Sequence, residues 1–284
     1  MSRFQAERLL LGCTASSAVV LAGDASAACQ VVAQTTAEPP PTASVAALCA
    51  ALGELKPARP AAGARRTELH VTVDDGLVRS YVVTPPNGAR GLQELRAAAA
   101  ARFAVLYGES AEPWLLAADW QASAPFIASA LPRQLCRQLD SLARTNRWQL
   151  GSVCPALVRS WNREPLAVPD DGWLIVGFGL TLTLAHTCNA QPVALRTERL
   201  PAAPGLAELA TLLEQERLRT PLPTEAHARQ RLSWTGAADW LPETATVAGL
   251  ASRTGAHDSR TSNFASLPDD CRVAGQLALA GSQR

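Results

Sequence analysis

Val176-Gly177-Phe178-Gly179-Leu180-Thr181-Leu182-Thr183-Leu184 is the stretch on which the fold turns. It opens with the apolar end of a strand that starts near Trp173. Two glycines one residue apart make a turn, and Thr then alternates with Leu in the returning strand. This alternation puts Leu182 and Leu184 on one face and Thr181 and Thr183 on the other. The turn has the outline of a phosphate-binding loop, in which backbone N–H groups face an anion.

The rest of the chain supplies elements of the same kind. Arg8–Cys13 and Ser17–Ala22 read as paired strands, and a Gly23-Asp24 turn leads to a third strand at Cys29–Gln34. A short Ala-rich helix is expected over Ala43–Leu55, followed by a mobile Pro/Ala/Arg link near residues 56–66. Leu69-His70-Val71-Thr72-Val73 alternates as a strand. Asp74-Asp75-Gly76 reads as a hairpin turn, with Leu77–Val83 returning. Gly91–Tyr107 is the clearest helix, with Leu92, Leu95, Ala99, Phe103 and Leu106 as its apolar stripe and Gly108 as its stop.

Trp114–Ala118 and Pro125–Ala130 are apolar enough for buried strands. A helix over Pro132–Asn146, a strand over Trp148–Cys154 and a helix from Pro155 to Asn162 complete a first half. Beyond a polar, Pro-rich stretch at Glu164–Asp171 come the Trp173–His186 and Val193–Arg199 strands, a helix over Leu206–Arg219 and a last strand at Gln230–Trp234. The organisation expected is a lobe over residues 1–165, a shorter second lobe over 166–243, and a flexible, polar tail over 244–284. Mixed sheets flanked by helices, approximately repeated, define an α/β class.

Composition narrows the chemistry. The 284 residues are 48% hydrophobic, enough for proper cores, and the net charge of +1 gives no global field toward nucleic acid or acidic lipid. Lys56 is the single lysine, so lysine-dependent phosphate or Schiff-base chemistry has one poor candidate beside a proline. The seven cysteines form no C-x-x-C pair, which argues against zinc and redox motifs. They are expected to be small apolar residues in a reducing compartment.

The N-terminus has a second reading. Arg3 and Arg8, the apolar run Leu9–Gly23, and Ala25-Ser26-Ala27 imitate a signal peptide cleaved before Ala28. Thr14, Ser16 and Ser17 interrupt that run, and the strand reading is preferred. No segment has about 18 uninterrupted apolar residues, so no transmembrane helix is expected.

Other constellations carry little. Asp74, Asp75 and His70 are explained by the turn rather than by metal or acid/base chemistry. Asp119, beside Trp120, is expected to cap the next element. His186 and Cys188 have no third orienting group. Ser16-Ser17 has no G-x-S-x-G elbow. His227 and His257 have no ligand spacing, and Arg65-Arg66 is a solvated link. Trp234 and Trp240 are candidates to line a partner groove.

With two hairpin units and the Trp173–Leu184 loop, the sequence resembles the actin-like ATPase superfamily, which has a two-lobed ribonuclease H-like fold. It is most similar to the actin-like cytoplasmic proteins of type IV pilus inner-membrane platforms, to the cytoplasmic domain of the matching type II secretion component, and to related uncharacterised bacterial proteins. The words that carry this are Tyr81-Val82-Val83-Thr84-Pro85-Pro86, Arg102–Gly108, Ala118-Asp119-Trp120, Ala130-Leu131-Pro132 and Ser160-Trp161-Asn162, within Leu69–Trp240.

The superfamily's first hairpin reads apolar-Gly-x-Asp-x-Gly. Here Leu11-Gly12-Cys13-Thr14-Ala15-Ser16 lacks both the Asp and the second Gly. The second hairpin has Gly177 where Asp is expected. The adenosine-side loop, Ser233-Trp234-Thr235-Gly236-Ala237-Ala238, keeps one glycine. The resemblance therefore places degenerate cofactor-binding loops at Gly12, Ser16, Gly177, Gly179 and Gly236, with no catalytic residue and no metal ligand. Without either carboxylate the magnesium-binding logic is gone, so a pseudo-ATPase is expected, with ATP and magnesium not expected as cofactors. The resemblance implies a cytoplasmic scaffold at the inner-membrane face that binds pilus or secretion platform proteins, in that family through a short N-terminal peptide of an inner-membrane partner. A nucleotide-binding ATPase of the same superfamily is the alternative, and an exported protein is the outcome if residues 1–27 are removed.

Overall fold

The computed structural model describes residues 8–22, 30–36, 45–55, 67–163, 168–220, 230–255, 264 and 267–281. The Gly23-Asp24 turn, Cys29, the expected link at 56–66 with Lys56, Arg65 and Arg66, and both His227 and His257 lie outside the described residues. The chain divides into two compact units. One comprises Met1–Val78, Leu131–Arg159 and Asp258–Arg284, and the other Arg79–Ala130 and Ser160–His257.

The first unit is built on a five-stranded sheet in the order β3-β2-β1-β4-β8. Its strands are β1 (Arg8–Cys13), β2 (Ser17–Ala22), β3 (Gln30–Thr36), β4 (Glu68–Val73) and β8 (Gln149–Pro155). The pairs β1–β2 and β2–β3 are antiparallel, and β1–β4 and β4–β8 are parallel. The central position of β1 explains its unbroken apolar run, since a strand with both faces covered reads Leu-Leu-Leu rather than alternating. On one face Leu9, Leu11, Val20, Leu69 and Val71 pack with helices α1 (Val45–Glu54) and α3 (Arg133–Thr145). On the other, Leu10, Val19 and Leu21 pack with Cys271, Ala274, Ala278 and Leu279 of α6 (Asp269–Ala280).

The second unit repeats the arrangement. Its six-stranded sheet runs β11-β10-β9-β12-β14-β13, from β9 (Gly172–Phe178), β10 (Thr181–Cys188), β11 (Gln191–Arg199), β12 (Arg231–Gly236), β13 (Thr246–Val247) and β14 (Leu250–Thr254). The pairs β10–β11 and β9–β10 are antiparallel, while β9–β12 and β12–β14 are parallel. Two antiparallel pairings followed by two parallel ones, with the first strand of each series in third place, make the lobes structural relatives. Helix α5 (Leu206–Arg219) contributes Leu209 and Leu213 to a core with Trp173, Ile175, Leu184, Leu232 and Trp234. A three-stranded sheet β5-β7-β6 (β5 Arg79–Val83, β6 Trp114–Ala118, β7 Phe126–Pro132) carries α2 (Leu92–Tyr107), whose Phe103 shares a core with Tyr81 and Phe126.

Four expectations are corrected. The described residues after 244 are not a polar tail: β13 and β14 extend the second sheet, and α6 is packed into the first unit. Its buried residues are mostly small, which is why a search for large apolar side chains passes over it. Asp74-Asp75-Gly76 does not close a hairpin. β4 pairs with β1 and β8, and β5 leaves to pair with β7 in the other unit. On α2, Leu95, Ala99 and Phe103 are buried, whereas Leu92 and Leu106 are 45% and 44% exposed, a narrower stripe than predicted. β6 is half-exposed along its length, not buried.

Candidate functional site

The glycines of the second loop come together in the second unit. Gly177 on β9 lies opposite Gly236 on β12 in the parallel register. Gly236 has a φ of 121°, and a Cβ on it would lie 2.0 Å from the Gly177 carbonyl oxygen, so only glycine allows this approach. Gly179 has a φ of 55° and is the first residue of the two-residue β9–β10 turn, where a hairpin takes glycine.

The chain beyond β12 folds back over this pair. The Gly177 carbonyl accepts from the Ala237 and Ala238 amides at 2.9 and 3.2 Å. Leu241 N donates to Ala238 O at 3.2 Å, closing a turn that aims Trp240 at the loop. The Trp240 indole Nε1 donates to the Gly179 carbonyl at 2.6 Å. Its ring lies so close to Gly177 that a Cβ there would meet ring carbons at 2.8 and 3.2 Å and the Leu241 side chain at 3.0 Å. The volume into which a carboxylate at 177 would project is filled by an indole. Trp240 was a candidate for a partner groove; instead it is spent on the loop. Trp234 is a core residue, with its indole N–H donated to Ser252 Oγ at 2.8 Å.

Gly12 and Ser16 belong to the first unit and are not part of that cluster. Gly12 faces α6: a Cβ on it would lie 1.9 Å from Ala274 O and 2.5 Å from Ala278 N. Its smallness serves helix packing. Ser16 sits in the β1–β2 turn, which is closed by Thr14. The Thr14 hydroxyl accepts from Ser17 N at 2.9 Å and Ser16 N at 3.3 Å and bonds Ser17 Oγ at 2.8 Å. The amides that a phosphate would need are already engaged by a side chain of the same turn.

Asp75, which sequence reasoning assigned to the turn, has a long-range role. It is 3% exposed, and both its carboxylate oxygens lie within reach of Leu157 N, at 3.1 and 3.0 Å. Leu157 is in the first turn of α4 (Ala156–Arg163), so Asp75 satisfies an amide at that helix's N-terminus from 82 residues away. Asp74 makes the local turn, accepting from Gly76 N at 2.7 Å. Its backbone N donates to Cys13 O at 2.9 Å, which joins the end of β4 to the end of β1.

His70 and Asp75 are separate. His70 Nδ1 is 3.0 Å from Ser152 Oγ, its Nε2 is 3.6 Å from Glu68 Oε2, and Arg159 donates to Ser152 Oγ at 3.0 Å and to Val71 O at 3.2 Å. Burial, with Arg159 and Arg8 nearby, pushes the His70 pKa below its ordinary value, against the opposing pull of Glu68. Arg159 supplies a donor where the β4–β8 pairing shifts register, next to Leu69 and His70, so this cluster mends an irregular edge.

The remaining candidates resolve simply. Asp119 is exposed and bonds Gln121. His186 is fully buried, stacked on Trp173 with ring centroids 4.3 Å apart. Cys188 is on the same strand but carries a thiol pKa raised by burial and by Asp171, the opposite of an activated nucleophile. Among the described residues no group of three His, Cys, Asp or Glu is arranged to hold a metal.

Duplicated mixed sheets of the same strand order, with helices on their faces, define a two-lobed actin-like α/β fold. The chain is similar in structure to a chain of the PilM-PilN type IV pilus biogenesis complex, at 16% identity over 100% of both chains, with a TM-score of 0.56. It is also similar to the cytoplasmic domain of EpsL, an inner membrane component of the type II secretion system of Vibrio cholerae. That match has 13% identity, covers 96% of this chain and 95% of that one, and has a TM-score of 0.53. No protein-family model and no curated protein matches the sequence. At such identities the likeness is one of fold.

Proposed function

We propose that this chain is a non-catalytic actin-like scaffold, or adaptor, that acts by protein–protein binding in pilus biogenesis or protein secretion machinery. The observation that carries the pseudo-ATPase part is the Trp240 ring seated on Gly177 and hydrogen-bonded to Gly179. Phosphoryl transfer depends on metal and dipoles aimed at the phosphates. Here the second loop carries an indole where that carboxylate would project, and the amides of the first turn are taken by Thr14.

The setting is supported by the two similar structures, one from a type IV pilus biogenesis complex and one from a type II secretion inner-membrane component. The partner in this reading is a platform protein, engaged through a short N-terminal peptide of an inner-membrane component, and the chain works at the cytoplasmic face of that membrane. None of the described helices is long and apolar enough to cross a membrane. Against the export reading, residues 8–22 form β1 and β2 of the first sheet, with β1 between β2 and β4.

Two measurements test the proposal. Calorimetric titration with ATP and magnesium is expected to show no binding, and a micromolar Kd overturns the pseudo-ATPase reading. Affinity capture from cells that express a pilus or secretion platform is expected to recover a platform protein, and its failure to do so overturns the scaffold reading.

A further inference from the structure

Trp240 is a candidate for more than core packing. It is half-buried, and it reaches its position through a strap, residues 236–242, that is fixed at both ends. At one end Gly177 O accepts the Ala237 and Ala238 amides, and at the other the Thr254 hydroxyl donates to Pro242 O on the far side of β12. Between these anchors the strap presents two large side chains, Trp240 and Leu241, and the single polar hydrogen of the indole is satisfied by the turn carbonyl of Gly179. The space at Gly177 is taken chiefly by the indole, with the flexible end of Leu241 beside it, so the two positions are complementary in volume: a side chain at 177 meets the ring at 240 first.

We infer that Trp240 is a built-in plug of the β9–β10 loop, standing in the space of the missing carboxylate. The loop is then closed twice over, by loss of the carboxylate and by the indole that replaces it. Restoring Asp at 177 alone cannot reopen the loop. The inference rests on the reading of this loop as a degenerate phosphate site, but its test does not depend on nucleotide binding.

The test is a thermal unfolding cycle on the full chain with G177D, W240A and the double variant. In the parent, G177D drives a carboxylate into the Trp240 ring, and the midpoint is expected to fall by roughly 5 °C or more. In the W240A background the same substitution is expected to cost less than half of that shift. An equal shift in both backgrounds overturns the plug. Should G177D leave no folded protein in either background, the cycle is read with G177A, whose Cβ meets the same ring atoms. Titration of the parent with ATP and magnesium separates the two ideas. Binding there overturns the pseudo-ATPase reading whatever the cycle shows, and unequal shifts uphold the plug whatever the parent binds.

Discussion

The indole Nε1–H of Trp240 and the carbonyl of Gly179 lie 2.6 Å apart across 61 residues, joining the strap after β12 to the β9–β10 turn. Two kinds of interaction meet in this contact: a hydrogen bond to a turn carbonyl and ring packing on Gly177. Graded truncation measures them together and in part. W240F removes the donor and the outer ring carbons that reach Gly177 but keeps an aromatic ring on the strap, so a cost of about 1–2 kcal/mol is expected. W240A also removes the packing, and a cost of roughly 2–4 kcal/mol is expected. Chemical denaturation of the three proteins, with unchanged denaturant slopes, measures both costs; equal costs for the two variants would show that only the outer indole edge and its donor contribute.

Asp75 joins β4 to the start of α4 through Leu157 N. D75A leaves a buried amide without its acceptor and a helix end without its negative charge, so a loss of roughly 2–3 kcal/mol is expected. D75N keeps an acceptor oxygen and loses the charge, with an expected cost of about 1 kcal/mol. If D75N proves as costly as D75A, charge rather than hydrogen bonding dominates at this helix end. Denaturation midpoints of the two variants decide between these.

Gly12 and Gly53 make opposite predictions from the same substitution. An added Cβ at Gly12 would sit 1.9 Å from Ala274 O, so α6 must move away from the sheet. G12A is expected to cost about 3 kcal/mol or more. Gly53 lies within α1, where the nearest atom to an added Cβ is the flexible end of Gln138 at 3.2 Å. G53A is expected to stabilise by about 0.5–1 kcal/mol through helix propensity. A neutral G12A in thermal unfolding would mean that α6 is not held against β1.

What was legible in the sequence follows from range. The strands at Arg8–Cys13 and Ser17–Ala22 and the helix at Leu206–Arg219 coincide with the structure, because period-2 and period-3.6 patterns are local. Asp74-Asp75-Gly76 has the local chemistry of a hairpin turn. Its true role depends on Leu157, 82 residues away, and on β5 joining another sheet. α6 was illegible because the surface it meets contains Gly12: close approach selects Cys271, Ala274 and Ala278, residues that look like a linker when read alone. Gly177 and Gly179 are neighbours in the sequence, but what fills their loop, Trp240, lies 61 residues beyond Gly179, and no spacing rule connects them.

His70 gives the chain a pH dependence whose sign is fixed. Its folded pKa is lowered from 6.5, first by burial and then by Arg159 and Arg8. The unfolded chain therefore binds a proton that the folded chain resists, and stability falls as pH drops below about 6.5 toward the folded pKa. Above 6.5 both states are neutral at this group and its contribution is flat. Because His70 keeps part of its surface in water and Glu68 opposes the shift, the effect is modest. Denaturation of the parent and of H70Q at pH 7.5 and 5.5 checks it. A larger loss on acidification in the parent than in H70Q is expected, and an equal loss assigns the pH dependence to other groups.

The position of β1 makes the N-terminal segment part of the fold. Leu9, Leu10 and Leu11 are buried, and every residue of β1 is registered against β4, most of them also against β2. Removal of residues 1–27 takes away both β1 and β2 and leaves β4 with an open edge and two apolar faces without cover. A chain beginning at Ala28 is therefore expected to lose cooperative unfolding of the first unit and to aggregate. Calorimetry and size-exclusion chromatography of this truncation beside the parent check it. A folded, monomeric product from Ala28 onward would remove β1 from the core and reopen the signal-peptide reading of Leu9–Gly23.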